Sequence, residues 1–322
     1  KNIIKNIDNL IHYPDPNYIE LKKSISKKIG VPIESICVGN GATELIFLWM
    51  KVLKPKKILI ISPTFAEYER ALKEVNSEVY YFELTEGNDE FYLDFEKLRE
   101  ELKKSYNLVI LCNPNNPTGS FVNRENFKEL LNDVNFSSTN FFIEEAFIDF
   151  IKNGEDLSFK HFESDRVIII RAFTKFFGIP GLRLGYSICY NKKWVSTANN
   201  LKEPWTINTF AASCGEFLLN SNKFIEKTYK TLEKEKNRML NGLTKIKNIR
   251  VFKSESNFLL IKLMEISGTE LYNKLLEKGF LIRRCENFNF LDDSYVRIAI
   301  KDKKSNKNFI KAINKITKNR NV

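Results

Sequence analysis

Short apolar runs alternate with amphipathic stretches through the first two thirds of the chain. Ile58 to Ile61, Val79 to Phe82, Leu108 to Cys112, Phe141 to Ile143, Val167 to Ile170 and Leu184 to Cys189 read as buried strands. Between them, Thr43 to Val52, Ala66 to Val75, Asp94 to Lys104 and Arg124 to Asn132 carry helical patterning. Strand-helix alternation of this kind predicts an α/β fold with a mostly parallel sheet covered on both faces. After about residue 205 the pattern changes. A long helical stretch from about Thr209 to Leu243 precedes strands near Val251 and at Phe258 to Lys262. A helix over Gly268 to Lys278 follows, then strands near Leu281 and at Tyr295 to Ile300, then an amphipathic helix from Lys301 to Arg320. The expected organisation is an N-terminal segment (1–30), a large α/β domain (31–212) and a smaller α+β domain (213–322). Ligands of open α/β sheets bind at the carboxyl ends of strands, so the chemistry is expected just after the apolar runs.

Composition narrows the function. The chain has 322 residues, 43% of them apolar, which suits a folded enzyme rather than a disordered chain. Its net charge of +11 raises a nucleic-acid or anionic-lipid partner. The lysines are scattered rather than blocked, so solvated basic faces are the preferred reading, with no specific nucleic acid and no membrane partner expected. Cys37, Cys112, Cys189, Cys214 and Cys285 form no C-x-x-C pair and are odd in number, which predicts reduced thiols in a cytoplasmic protein. No apolar run approaches transmembrane length, and Lys1 to Asn9 is too polar for a signal peptide. With only His12 and His161, histidine-ligated metal chemistry and a histidine triad are not expected.

Four strand-end motifs carry candidate chemistry. Gly39-Asn40-Gly41-Ala42-Thr43-Glu44 follows the short run Ile36 to Val38 and opens a helix. Its glycines permit a tight turn, and the helix start offers free N–H groups to an anion, although such a turn is more often only a cap. Asn113-Pro114-Asn115-Asn116-Pro117-Thr118-Gly119 follows Leu108 to Cys112; it is a turn by composition, placed where a side-chain amide could meet a ligand. Glu144 and Glu145 end the run Phe141 to Ile143. They either face solvent or offer a carboxylate to a protonated ring nitrogen. The strongest element runs from Arg171 to Tyr186. There Lys175 lies between apolar and aromatic neighbours, which predicts a partly desolvated amine fit to act as a nucleophile. Arg183 is a permanent cation suited to a phosphate.

Taken in order, these motifs resemble the fold-type-I pyridoxal-phosphate enzymes, specifically the branch of histidinol-phosphate aminotransferases and threonine-phosphate decarboxylases. The resemblance runs from Tyr13-Pro14-Asp15-Pro16 to the last helix. It implies an aspartate-aminotransferase-like large domain, pyridoxal 5′-phosphate as cofactor and a homodimer that the N-terminal segment helps to build. It implies that Lys175 is the Schiff-base lysine and proton shuttle. Gly41, Ala42, Thr43, Thr174 and Arg183 then hold the cofactor phosphate, Asn116 its ring hydroxyl and Glu144 its ring nitrogen. Phe65 stacks on the ring, and Tyr13 reaches the neighbouring subunit's phosphate. Arg297, Arg283 and Asn208 are implied for a small anionic amino-acid phosphate substrate. Five segments look more like the decarboxylase: Thr64 to Leu72, Ala146 to Phe150, Thr174 to Gly181, Pro204 to Asn208 and Arg284 to Phe288. That family converts L-threonine O-3-phosphate to aminopropanol phosphate for cobalamin-type corrinoids.

Three positions depart from the pattern. Glu144 stands where relatives carry Asp, so one extra methylene must be absorbed. Phe147 stands where the aminotransferases usually place Tyr, in agreement with the decarboxylase. Ala172 replaces a frequent hydroxyl. An N-terminal segment of about forty residues is expected to precede the chain in relatives and to help close the substrate site. Besides decarboxylation, the competing readings are histidinol-phosphate or related transamination, and a cofactor-binding protein without catalysis.

Overall fold

The computed structural model describes Ile4 and residues 6–318. Lys1 to Ile3, Lys5 and the end of the helix expected to reach Arg320 lie outside the described residues. Thirteen strands are described: β1 Ile36–Gly39, β2 Lys57–Ser62, β3 Glu78–Glu83, β4 Thr85–Glu86, β5 Phe91–Tyr92, β6 Leu108–Cys112, β7 Asn140–Glu144, β8 Val167–Ala172, β9 Gly185–Cys189, β10 Ile249–Val251, β11 Phe258–Leu263, β12 Arg283–Arg284 and β13 Tyr295–Ala299.

Seven of them form one sheet, ordered β1-β9-β8-β7-β6-β2-β3. The pairs β2/β3, β2/β6, β6/β7 and β7/β8 are parallel; β9 runs antiparallel to both β8 and β1. Alternation along each strand divides its side chains between two cores. In β6, Leu108, Ile110 and Cys112 join Trp49, Tyr68 and Leu72 on one face, whereas Val109 and Leu111 join Leu21, Ile25, Leu98 and Phe127 on the other. Helices Gly41–Leu53, Glu67–Lys73 and Lys192–Leu201 cover the first face. Ile19–Ile29, Phe95–Leu102, Arg124–Asn132 and Thr209–Leu219 cover the second. Both faces being buried explains why these strands read as unbroken apolar runs.

The smaller sheet is antiparallel, ordered β10-β11-β13-β12, and packs on Asn222–Leu243, Gly268–Leu276 and Lys303–Lys318. Strands β4 and β5 form a separate two-stranded sheet, and Glu86 on β4 ties it to the smaller sheet. Its carboxylate receives Arg250 Nη2 at 2.7 Å, Lys262 Nζ at 3.1 Å and the Tyr295 hydroxyl.

Three expectations are corrected. The stretch Thr209 to Leu243 is two helices, Thr209–Leu219 and Asn222–Leu243. Asn220 and Ser221 separate them, their side chains bonding back to the carbonyls of Glu216 and Phe217, where such residues compete with the helical ladder. Asp94 does not lie within its helix but caps it, accepting from Lys97 N. The strand expected near Leu281 is Arg283–Arg284; Leu281 itself is exposed.

Candidate active site

A cleft of about 520 Å³ opens between the carboxyl ends of the parallel strands and the smaller sheet. Phe65, Asn116, Glu144, Phe147, Lys175, Arg283 and Arg297 all line it. Phe65, Asn116, Glu144, Phe147 and Lys175 enter at or just after the carboxyl ends of strands of the larger sheet. Asn116 follows β6, Glu144 closes β7, and Lys175 sits on the short helix Phe173–Phe176 directly after β8. Arg297 comes from β13. The Lys175 ammonium lies 5.7 Å from the centre of the Phe147 ring. Lys175 is exposed to the open cleft, so the desolvation expected from its apolar neighbours is not present; those neighbours, Phe173 and Phe176, turn inward instead.

Glu144 and Glu145 point to opposite sides of β7, and neither faces solvent. Glu144 Oε2 accepts from the Tyr68 hydroxyl and lies 3.4 Å from Cys112 Sγ. Burial pushes its carboxyl up, against the pull of Tyr68, Cys112 and the Lys175 charge. Glu145 is wholly buried on the other side, accepting from Ser158 Oγ, Phe159 N and Arg171 Nε. Arg171 also meets Glu155 at 2.7 Å and Asp149 at 3.5 Å, and Lys160 bonds Glu155 at 2.6 Å. Burial raises Asp149 to about 6. Burial acts the same way on Glu155 but is outweighed by Arg171 and Lys160, which bring it down to about 2. Arg171, the hub of this cluster, lies in β8, whose end leads into the helix of Lys175.

A cradle forms from the start of helix Gly41–Leu53 and the Arg183 side chain. Gly41 has φ +81°, and a Cβ there would stand 2.7 Å from Arg183 Nη2. A Cβ on Gly185 would stand 2.8 Å from Ala42 N. Two glycines therefore let the helix start, β9 and the guanidinium close on one another. The first helical N–H groups have no intrahelical acceptor, and among the described residues Arg183 bonds the Pro180 carbonyl, at 3.4 Å. Thr43 lies in this first turn, and Thr174 is buried next to Lys175. A phosphate fits this arrangement of donors.

Across the cleft, Arg283 and Arg297 are direct cross-strand partners in the β12/β13 register. Arg297 lies over the Phe258 ring at 5.0 Å and Arg283 over Phe288 at 5.3 Å. Burial, with a smaller push from Arg283, lowers the Arg297 pKa. Like charges set opposite each other repel unless an anion comes between them.

Of the expected residues, Gly41, Ala42, Thr43, Thr174 and Arg183 do not line the cleft itself, and neither do Asn208 and Tyr13. Asn208 caps helix Thr209–Leu219 through Oδ1 and donates from Nδ2 to the Leu182 carbonyl, so both ends of its amide are engaged. Tyr13 is 82% exposed and packs on Trp205, with ring centroids 4.8 Å apart. Asn257, which lines the cleft, and Tyr68, buried behind Glu144, are among the residues that the sequence did not single out for the site. Tyr68 sits in a helix as an ordinary core aromatic would, and Asn257 precedes β11 with no motif around it.

The family model for class I and II aminotransferases matches residues 3–313. A threonine-phosphate decarboxylase predicted in Caldanaerobacter subterraneus subsp. tengcongensis is 40% identical over 96% of this chain and 84% of its own. The threonine-phosphate decarboxylase of Salmonella typhimurium is 32% identical over 98% of this chain and 85% of its own. Among solved structures, the histidinol-phosphate aminotransferase from Clostridium acetobutylicum superposes with a TM-score of 0.91 at 39% identity, covering 99% of this chain and 95% of its own.

Proposed function

That the chain belongs to the class I and II aminotransferase family is the premise on which we propose that it is a carboxy-lyase acting on L-threonine O-3-phosphate, with aminopropanol phosphate as product. Its fold is that of the aspartate aminotransferases and its cofactor is pyridoxal 5′-phosphate. When bound, the cofactor supplies the electron sink that makes cleavage at Cα possible.

In this reading the helix start at Gly41, Ala42 and Thr43, with Thr174 and Arg183, holds the cofactor phosphate. Phe65 lies against the ring, Asn116 serves its hydroxyl and Glu144 its nitrogen. Lys175 anchors the cofactor and returns a proton to Cα after carbon dioxide has left. The observation that carries the substrate class is the opposed pair Arg283 and Arg297 on the far wall. Two neighbouring guanidinium groups suit a molecule bearing both a carboxylate and a phosphate. Phe147 gives Lys175 an apolar neighbour without a competing hydroxyl. Cobalamin biosynthesis is the corresponding pathway, and a cytoplasmic location accords with five free, buried cysteines. No described helix is long and apolar enough to cross a membrane. A homodimer completes the reading. Tyr13 and Trp205, with the exposed Leu10 and Ile11, offer an apolar surface for the second copy; sedimentation would register the mass of two chains.

A second reading, transamination of histidinol phosphate, is favoured by the 39% identity to the Clostridium acetobutylicum enzyme. Product analysis separates the two. Carbon dioxide released from phosphothreonine without keto acid supports the lyase. Amino transfer from histidinol phosphate, with phosphothreonine inert, overturns it.

A further inference from the structure

Tyr68 lies on helix Glu67–Lys73 and is fully buried beneath the cleft. A buried phenol is costly unless its hydroxyl is bonded, and this one donates to Glu144 Oε2. Cys112 Sγ approaches the same oxygen at 3.4 Å. The other oxygen, Oε1, receives no side-chain hydrogen bond from the described residues, while Glu144 itself lines the cleft. The extra methylene of glutamate is thus taken up by a fixed anchor: one oxygen is tied down at the end of β7 and the other is left for a ligand. The Tyr68 ring also stands edge-on to Phe65, with centroids 6.0 Å apart at 88°, and edge-on to Phe142 at 6.4 Å.

We propose that Tyr68 is a positioning residue that holds Glu144 in its charged form through its hydroxyl and sets the plane of Phe65 through its ring. One buried side chain then governs two of the three protein groups assigned to the cofactor ring, Asn116 being the third. The inference rests on the assignment of Glu144 to the ring nitrogen. Its electrostatic basis is a contest at Glu144. Burial favours the neutral acid, whereas a donated hydrogen bond favours the carboxylate. The titratable groups facing Glu144 are Tyr68, Cys112 and Lys175, and of these Tyr68 makes the strongest geometric contact. Removing its hydroxyl leaves the acid protonated over a wider range of pH.

The test is the affinity of cofactor-free protein for pyridoxal 5′-phosphate, followed by fluorescence titration from about pH 5 to pH 8. Four proteins are compared: the native chain, Tyr68→Phe, Glu144→Gln and the double variant. Tyr68→Phe removes one oxygen, so its thermal midpoint without cofactor should fall by only a few degrees. We expect it to weaken binding roughly tenfold at neutral pH and to move the acid limb of the affinity profile to higher pH. In the Glu144→Gln background the same change should alter affinity by less than about twofold, because the group it acts through is gone. Equal weakening in both backgrounds, or no weakening in the native one, reduces Tyr68 to packing and overturns the inference. If Glu144→Gln alone leaves affinity unchanged, the ring-nitrogen assignment falls first and the inference with it.

Discussion

Arg297 donates from Nη1 to Asn116 Oδ1, joining β13 of the smaller sheet to the loop after β6 of the larger one across 181 residues of sequence. The residue proposed for a substrate anion and the residue proposed for the cofactor ring hydroxyl are therefore hydrogen-bonded to each other. A change at Asn116 should be felt at Arg297. Asn116→Asp sets a carboxylate against that guanidinium and supplies the counter-ion that substrate would otherwise bring. We expect KM for the anionic substrate to rise roughly tenfold or more, with a smaller effect on kcat, in steady-state assays. An unchanged KM would disconnect the pair from substrate binding.

Lys175→Ala removes the only lysine lining the cleft among the described residues. Turnover should fall by roughly 10³-fold, the scale of a lost proton-transfer group. The visible absorbance that native protein gains with pyridoxal 5′-phosphate should vanish. A variant that retained the band would place the attachment elsewhere.

Gly41→Ala tests the cradle. The backbone conformation at φ +81° costs a side chain about 1–2 kcal/mol, and the new methyl would meet Arg183 Nη2. Cofactor affinity should drop about tenfold, measured by dialysis, while Gly279→Ala, at φ +76° with open space around it, should leave affinity alone despite similar backbone strain. Equal losses in the two variants would remove the cradle from the argument.

The ion cluster around Arg171 predicts opposing pH dependences in cofactor-free protein. Asp149 is raised from an ordinary 3.8 to about 6, so its contribution to stability is complete below the ordinary value and is lost as pH rises through about 6. Glu155 is held down from an ordinary 4.5 to about 2, so its contribution is complete above the ordinary value and is lost as pH falls through about 2. In thermal unfolding, Asp149→Asn should flatten the change between about pH 4 and pH 6, and Glu155→Gln the change between about pH 4 and pH 2. Superimposable profiles for native protein and both variants would contradict the assignment. Arg171→Met removes the hub and leaves Glu145 buried without its cation; a loss of about 3–5 kcal/mol is expected from denaturant titration.

Which of these features the sequence revealed follows from how each is built. Strands such as β6 and β7 are buried on both faces, so they appear as apolar runs, and their carboxyl ends and the loops that follow border the cleft by topology. That places the loop after β6, the pair Glu144 and Glu145, and Lys175 at strand ends from local pattern, whereas the choice of Asn116 and Glu144 within them came from the family resemblance. Gly41 and Arg183 belong to motifs, and the structure brings them into contact across 142 residues. Tyr68 could not be placed this way, because its bond to Glu144 spans 76 residues and nothing in its helix distinguishes it from a core aromatic. The fate of Glu145 was hidden for the same reason: a carboxylate beside Glu144 reads as solvated until Arg171, 26 residues on, is seen to share its burial. Asn208 shows the opposite case. A family motif suggested substrate contact, whereas local geometry uses its side chain as a helix cap. The helix Ile19–Ile29 was not singled out from the sequence, although Leu21, Ile25 and Ile29 recur at four-residue spacing between polar residues.

Glu86 acts as a fulcrum. Its three partners come from β10, β11 and β13, leaving β12 at the unattached margin of the smaller sheet. Any rocking of that sheet that keeps the Glu86 contacts intact must carry β12 through the widest arc. Arg283 rides on that margin, so a few degrees of rotation would translate it farther than any other cationic wall of the cleft.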